Sequence, residues 1–186
     1  MIIMRQTEQA KYEKVWTHDR YRQNAPGEKR VAHAIKALGM PIGSSVIDFG
    51  CGTGRPAFAL QKLGFTVIAV DHAANCLDTQ VKGMLNFCQH CLWELPDDLT
   101  AEYGFCTDVM EHIPPDYVEL TLASIRKAVG AVYFQISTRP DGLGKPLIGE
   151  PLHLTVQNKD WWEEQLRLHW VDVDLTGDRD VIAICR

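Results

Sequence analysis

Ser45-Val46-Ile47-Asp48-Phe49-Gly50-Cys51-Gly52-Thr53-Gly54 decides how the chain is read. Val46, Ile47 and Phe49 give the β-branched and aromatic content of a buried central strand. Gly50, Gly52 and Gly54 then make a turn without side chains, so a ligand can approach the backbone. Ala57 to Leu63 has helical apolar spacing, and Pro56 suits a first helical turn, where its missing N–H is not needed. The amides at that helix start point at whatever lies over the turn. Phe65 to Val70 is a second apolar strand and ends in Asp71. A carboxylate at this place, roughly 20 residues beyond the first glycine, accepts hydrogen bonds from the two ribose hydroxyls of a nucleoside. A plain βαβ unit with a tight turn is the bland alternative.

A dinucleotide site expects G-x-G-x-x-G, with pyrophosphate on the helix N-terminus. The position of the third glycine is Arg55 here, which ranks an NAD-dependent dehydrogenase low and favours a shorter ligand. Asp48 to Gly54 together with Asp71 resembles motifs I and II of the class I S-adenosylmethionine-dependent methyltransferases. A second match lies at Asp108-Val109-Met110-Glu111-His112-Ile113, similar to motif IV of that family. The resemblance runs from about Ser44 to Thr138. It implies a doubly wound, Rossmann-like α/β fold with a seven-stranded, mostly parallel sheet. Its last two strands form a hairpin, with the final one antiparallel.

The composition fits that expectation. The 186 residues are 46% hydrophobic and 23% charged, as in a soluble globular domain. The net charge of -5 argues against a nucleic-acid-binding face. No apolar run approaches the length of a membrane span, and the apolar start is too short for a signal peptide. The six cysteines lack a secreted spacing pattern and read as reduced thiols of a cytoplasmic protein. One domain is expected over 1–186. It divides into a helical extension at 1–40, a cofactor-binding core at 44–138, and a substrate loop, helix and closing hairpin at 139–186.

Along the chain, Tyr12 and Trp16 fall four apart and share a face if residues 5–23 are helical. Two readings stay open for this segment: a surface helix, or a lid with Tyr21 and Arg22 facing the site. Family members commonly carry such a helical extension. Helices are expected at Glu28–Leu38, Ala74–Lys82, Asp116–Lys127 and Asn158–Leu168, the last capped by Asn158. Strands are expected around Leu85–Cys88, Phe105–Thr107 and Ala131–Ser137, with Gly130 ending the helix before the last of these. Trp170–Leu175 and Asp180–Cys185 read as a hairpin about Thr176-Gly177-Asp178. Cys88 and Cys91 form a C-x-x-C pair without partners at zinc spacing and at a strand end, so two core cysteines are the favoured reading and no metal site is expected.

The chemistry-bearing residues cluster at strand ends. Asp108, Glu111 and His112 follow the Phe105–Thr107 strand, where open α/β sheets bind ligands. Arg139 to Pro151 is a long irregular segment leaving another strand end, and His153 follows it. The resemblance implies roles. Gly50, Cys51, Gly52 and Gly54 bring backbone to the methionine portion, and Asp48 anchors the turn. Asp71 holds the ribose, His72 and Leu92 flank the adenine, and Asp108 and Val109 line the methionine end. Cys91 stands where the family often has an aspartate for the adenine amino group; a thiol is a poorer acceptor. Glu111, His112 and His153 are the candidates for orienting or deprotonating a methyl acceptor. The implied cofactor is S-adenosylmethionine, leaving as S-adenosylhomocysteine, and the acidic charge with the aromatic lid favours a small-molecule acceptor. A nucleoside-binding domain without transfer, and transfer to nucleic acid or protein, are the alternatives.

Overall fold

Seven strands form one sheet in the order β3-β2-β1-β4-β5-β7-β6 in a computed structural model that describes residues 2–177 and 180–186. The strands are β1 (Ser45–Phe49), β2 (Thr66–Asp71), β3 (Asn86–Gln89), β4 (Ala101–Thr107), β5 (Val129–Ser137), β6 (Val173–Thr176) and β7 (Asp180–Cys185). The first five pair in parallel; β7 runs antiparallel to β5 and to β6. The chain passes from β1 outward to β2 and β3, then returns to place β4 on the other side of β1. That reversal opens a crevice at the carboxyl ends of β1 and β4.

Strand periodicity divides the core between the two faces of the sheet. On one face Ile47, Phe49, Val132, Phe134, Val181 and Ala183 pack against α5 (Val118–Ala128) and α7 (Lys159–Arg167). On the other, Val46, Val67, Ala69, Tyr133, Ile182 and Ile184 meet α1 (Ile2–Val15), α3 (Val31–Leu38) and α4 (Arg55–Lys62). The described elements are completed by α2 (Asp19–Arg22), α6 (Gly144–Ile148) and short 3-10 turns. Asn158 caps α7, its side-chain oxygen accepting from the Trp161 N–H.

Several expectations need correcting. Residues 74–82 form turns instead of a helix. Their apolar side chains have another use: Leu77, Val81 and Leu85 close over Gly54, where a Cβ would lie within about 3 Å of all three. Asp78 is held by Arg55 and Arg22, and its N–H donates to the Thr53 carbonyl. These long-range contacts outweigh local helix propensity. The 28–38 helix begins as a 3-10 turn at Pro26–Arg30, and α5 starts at Val118 after the turn Pro115–Tyr117. Gly130 lies inside β5, because Val129 pairs with Ala101 and recruits the glycine into the ladder. The hairpin expected about Thr176-Gly177-Asp178 has both its strands, while Asp178 lies outside the described residues.

Candidate functional site

The glycine turn is built by the end of β1. Cys51 N–H donates to the Val70 carbonyl of β2, so the turn stays stitched to the neighbouring strand beyond the last ladder pair. Gly50 has φ +68°, and a Cβ there would lie 2.5 Å from Val109 Cγ2. Only glycine satisfies both the backbone and that contact. Gly54 is the N-cap of α4 and packs beneath Leu77, Val81 and Leu85, on the side away from the crevice.

Asp71 ends β2 and is buried. One of its carboxylate oxygens accepts from Gly52 N–H at 3.0 Å, the other from Ala73 N–H at 2.9 Å. A carboxylate has about four lone-pair sites, so capacity remains for hydroxyl donors in the chamber that it lines. Asp48 lies in the floor; burial drives its carboxyl well above the usual range, and Oδ2 has no partner. Cys51 is buried with its thiol against Cys76; that hydrogen bond first, then burial, pushes its pKa up. Cys91 is packed in the core beside Leu92 and Trp93 rather than on the chamber wall, and burial pushes it up to about 12.

Two connected spaces occupy the crevice. The inner chamber, about 70 Å³, is bounded by Tyr12, Trp16, Tyr21, Gly50, Asp71, His72, Leu92, Trp93, Asp108, Val109 and His112, with Glu8, Ile113 and Pro114 at its edge. The outer cleft, about 620 Å³, runs from Asp48, Gly50 to Thr53, and Asp108 out to Ser137, Arg139, Asp141 and His153. The Trp16 ring lies over Gly52, 3.0 Å from where a Cβ would be, and Tyr12 packs edge-on against His72 and His112. Arg22, expected to face the site, lines neither space. Its guanidinium donates to the carbonyls of Trp16, Asn75 and Cys76 and clasps α2 to the 73–78 segment. Buried polar atoms lacking a partner concentrate here: Asp48 Oδ2, His72 Nε2, Trp16 Nε1 and Trp93 Nε1 all belong to wall residues. Buried polar groups are normally satisfied, so such a set marks a seat for a polar ligand.

The far wall carries the titratable cluster. Asp108 follows β4 with φ +60°, a left-handed conformation that aspartate tolerates. Glu111 is fully buried; Oε1 accepts from Ser137 N–H at 2.9 Å, and Oε2 is unpartnered. Burial, then the neighbouring Asp108 carboxylate, raises its pKa well above the carboxylate range. The Glu111 carbonyl accepts from both Leu154 and Thr155 N–H, which draws the 152–155 segment alongside. Asp141 staples the loop before it by accepting from Leu143, Gly144, Leu152 and His153 N–H. Burial works to raise the Asp141 pKa, but those donors outweigh it and hold it low. His153 is thereby brought edge-on to His112, ring centroids 4.6 Å apart. His112 Nδ1 lies 2.6 Å from Tyr12 Oη and 3.1 Å from the Leu152 carbonyl. Burial, then His153, lowers its pKa to about 3, so its imidazole is neutral.

Sequence reasoning missed Glu8, Thr53 and Ser137 as wall residues, while Arg139 and Asp141 belong to the irregular segment it had singled out as a whole. Glu8 had one available signal: it falls four before Tyr12, on the stripe that continues to Trp16.

A crevice at the switch point of an open α/β sheet, with a glycine turn facing a strand-end carboxylate, defines a nucleoside-type site. The chain belongs to the methyltransferase-domain family, whose model matches residues 16–173. A ubiquinone biosynthesis O-methyltransferase of Methylococcus capsulatus is 26% identical over 144 residues, 68% of this chain; the chain spans 61% of that relative's length. Among solved structures, the DhpI–SAH complex superposes with TM-score 0.72 at 22% identity, covering 96% of this chain and 94% of that one. The 1,6-didemethyltoxoflavin-N1-methyltransferase of Burkholderia thailandensis, with bound 1,6-didemethyltoxoflavin and S-adenosylhomocysteine, gives TM-score 0.67 at 17% identity, covering 100% and 87%. These likenesses establish the fold: a Rossmann-like sheet, mostly parallel, with antiparallel C-terminal strands.

Proposed function

We propose that the protein is an S-adenosylmethionine-dependent methyltransferase acting on a small-molecule acceptor. The observation that carries this is the convergence of Asp71, tied to Gly52 N–H, with the Gly50–Gly52 backbone at the mouth of β1. In this reading Asp71 takes the ribose hydroxyls, and His72 and Leu92 flank the adenine with Trp93. The Gly50–Gly52 backbone, Asp48, Asp108 and Val109 meet the methionine portion. S-adenosylmethionine supplies a methyl group already activated on a sulfonium, so the protein's contribution is alignment. Residues 44–138 form the cofactor-binding core, 139–186 close the acceptor side, and 1–40 act as a lid.

The lid closes the nucleoside half to about 70 Å³, whereas sites for ligands of this size span roughly 300–1,000 Å³. Entry therefore requires the Trp16 and Tyr12 rings to leave the chamber. His112 and His153 face the acceptor, with the buried Glu111 carboxyl behind them. The wide outer cleft, the net charge of -5 and the aromatic lid all support a small acceptor. Among the described residues no helix is long and apolar enough to cross a membrane, and all six cysteines are free, which supports a cytoplasmic setting.

Calorimetric titration of S-adenosylhomocysteine tests the cofactor site, and transfer of labelled methyl into a small-molecule extract tests the reaction. Tight nucleoside binding without any labelled product from extract, RNA or protein would reassign the chain to a binding domain.

A further inference from the structure

We infer that Glu111, His112 and His153 form a binding site for a divalent transition-metal cation on the acceptor side of the cleft. The donor atoms of the three residues lie within 4.8 Å of one another. Each is held by a backbone partner. Glu111 Oε1 is committed to Ser137 N–H, which leaves Oε2 buried, unpartnered and fixed. His112 Nδ1 lies between the Leu152 carbonyl, which can only accept, and Tyr12 Oη, which can also accept; the tautomer that serves both carries its proton on Nδ1 and leaves Nε2 a bare lone pair. His153 follows the same pattern: Nδ1 donates to the Arg139 carbonyl, and Nε2 is left as acceptor. Metal-bound histidines are characteristically oriented by a carbonyl or carboxylate on the other ring nitrogen. Two imidazole nitrogens and one carboxylate oxygen with open positions suit zinc, cobalt, manganese or iron better than magnesium or calcium.

The fit needs only small adjustment. Bond lengths of about 2.0–2.2 Å put tetrahedral donors roughly 3.4 Å apart. His153 sits on a half-exposed segment and can close the remaining gap, whereas Glu111 and His112 are held by their backbone partners. Asp108 is beside Glu111, and a cation would relieve the repulsion between the two carboxyl groups.

The site's use rests on the methyl-transfer reading. A cation there would bind the oxygen of a hydroxyl-bearing acceptor and favour loss of its proton to water. That oxygen then forms the bond to the methyl carbon as the sulfur–methyl bond breaks, and the sulfonium becomes a thioether. An acceptor with two adjacent oxygens would use both open positions, which selects chelating diols or phenols over amines and thiols.

The test is Co2+ titration of chelator-treated protein, read as visible d–d absorption, for wild type, His153→Gln and His112→Gln. The expected result is one equivalent bound through nitrogen and oxygen ligands, with affinity at least about tenfold weaker in His153→Gln. Melting temperature on the same samples establishes that each variant is folded, and S-adenosylhomocysteine calorimetry on His153→Gln, which lies outside the inner chamber, establishes that its cofactor site is intact. No d–d band, equal affinity in all three proteins, or a thiolate charge-transfer band pointing instead to Cys51 and Cys76 would each overturn the proposal. The S-adenosylhomocysteine titration reads the methyl-transfer site separately, so either reading can fail while the other stands.

Discussion

The two walls of the cleft are made by different kinds of force. The sheet wall, at the ends of β1, β2 and β4, is set by backbone: parallel ladders fix Asp48 opposite Ala69 and Phe105, and the glycine turn is hydrogen-bonded to Val70. The opposite wall, the lid of the proposed reading, is set by side chains. Arg22 clasps carbonyls of the 73–78 segment, Asn75 Nδ2 donates to the Glu13 carbonyl, Tyr12 meets His112, and Arg5 pairs with Glu94. Ladder bonds break only with the sheet, whereas a few polar latches can release one by one. On the proposed reading, the lid can therefore open without loss of the fold.

The severest challenge to the sheet wall is Gly50→Val. It forces a β-branched residue to φ +68° and drives a side chain into Val109. We expect a loss of about 3 kcal/mol or more in denaturant unfolding, with no S-adenosylhomocysteine binding. A wild-type midpoint would mean that the turn is as adaptable as the lid. Next is Asp71→Asn, which keeps the shape and removes the charge. Calorimetry should give roughly 10–100-fold weaker binding of the nucleoside, the loss of a charged hydrogen-bonding partner; unchanged affinity removes Asp71 from the ribose.

On the lid wall, Arg22→Ala should cost only about 1–2 kcal/mol globally while speeding hydrogen exchange in residues 12–22 and 73–81. Exchange that speeds equally in β1 and β4 would show one cooperative unit instead of two walls. The smallest effect belongs to Arg5→Ala. Its partly exposed ion pair with Glu94 should contribute under about 1 kcal/mol, with melting almost unmoved.

Legibility in the sequence follows the same division. β1, β2 and the motif after β4 were readable because strand alternation, glycine placement and strand-end acids are local patterns. Asn158 was readable as a cap for the same reason. The 74–82 segment misled because Leu77 and Val81 have helical spacing yet serve to cover Gly54, a contact no local pattern encodes. His153 could be nominated but not paired. Its approach to His112 depends on the Glu111 carbonyl receiving two amides from some 40 residues away. Arg22 was expected to face the site; it lines neither space and engages backbone carbonyls, contacts that no local pattern encodes.

The indole of Trp16, resting on Gly52, gives the molecule an optical gauge. A nucleoside cannot reach that backbone while the ring lies there, so occupancy must carry the indole into a different dielectric. Its emission should report each arrival directly, and Trp16→Phe should remove the larger part of that change, leaving the share of Trp93, which lines the same chamber.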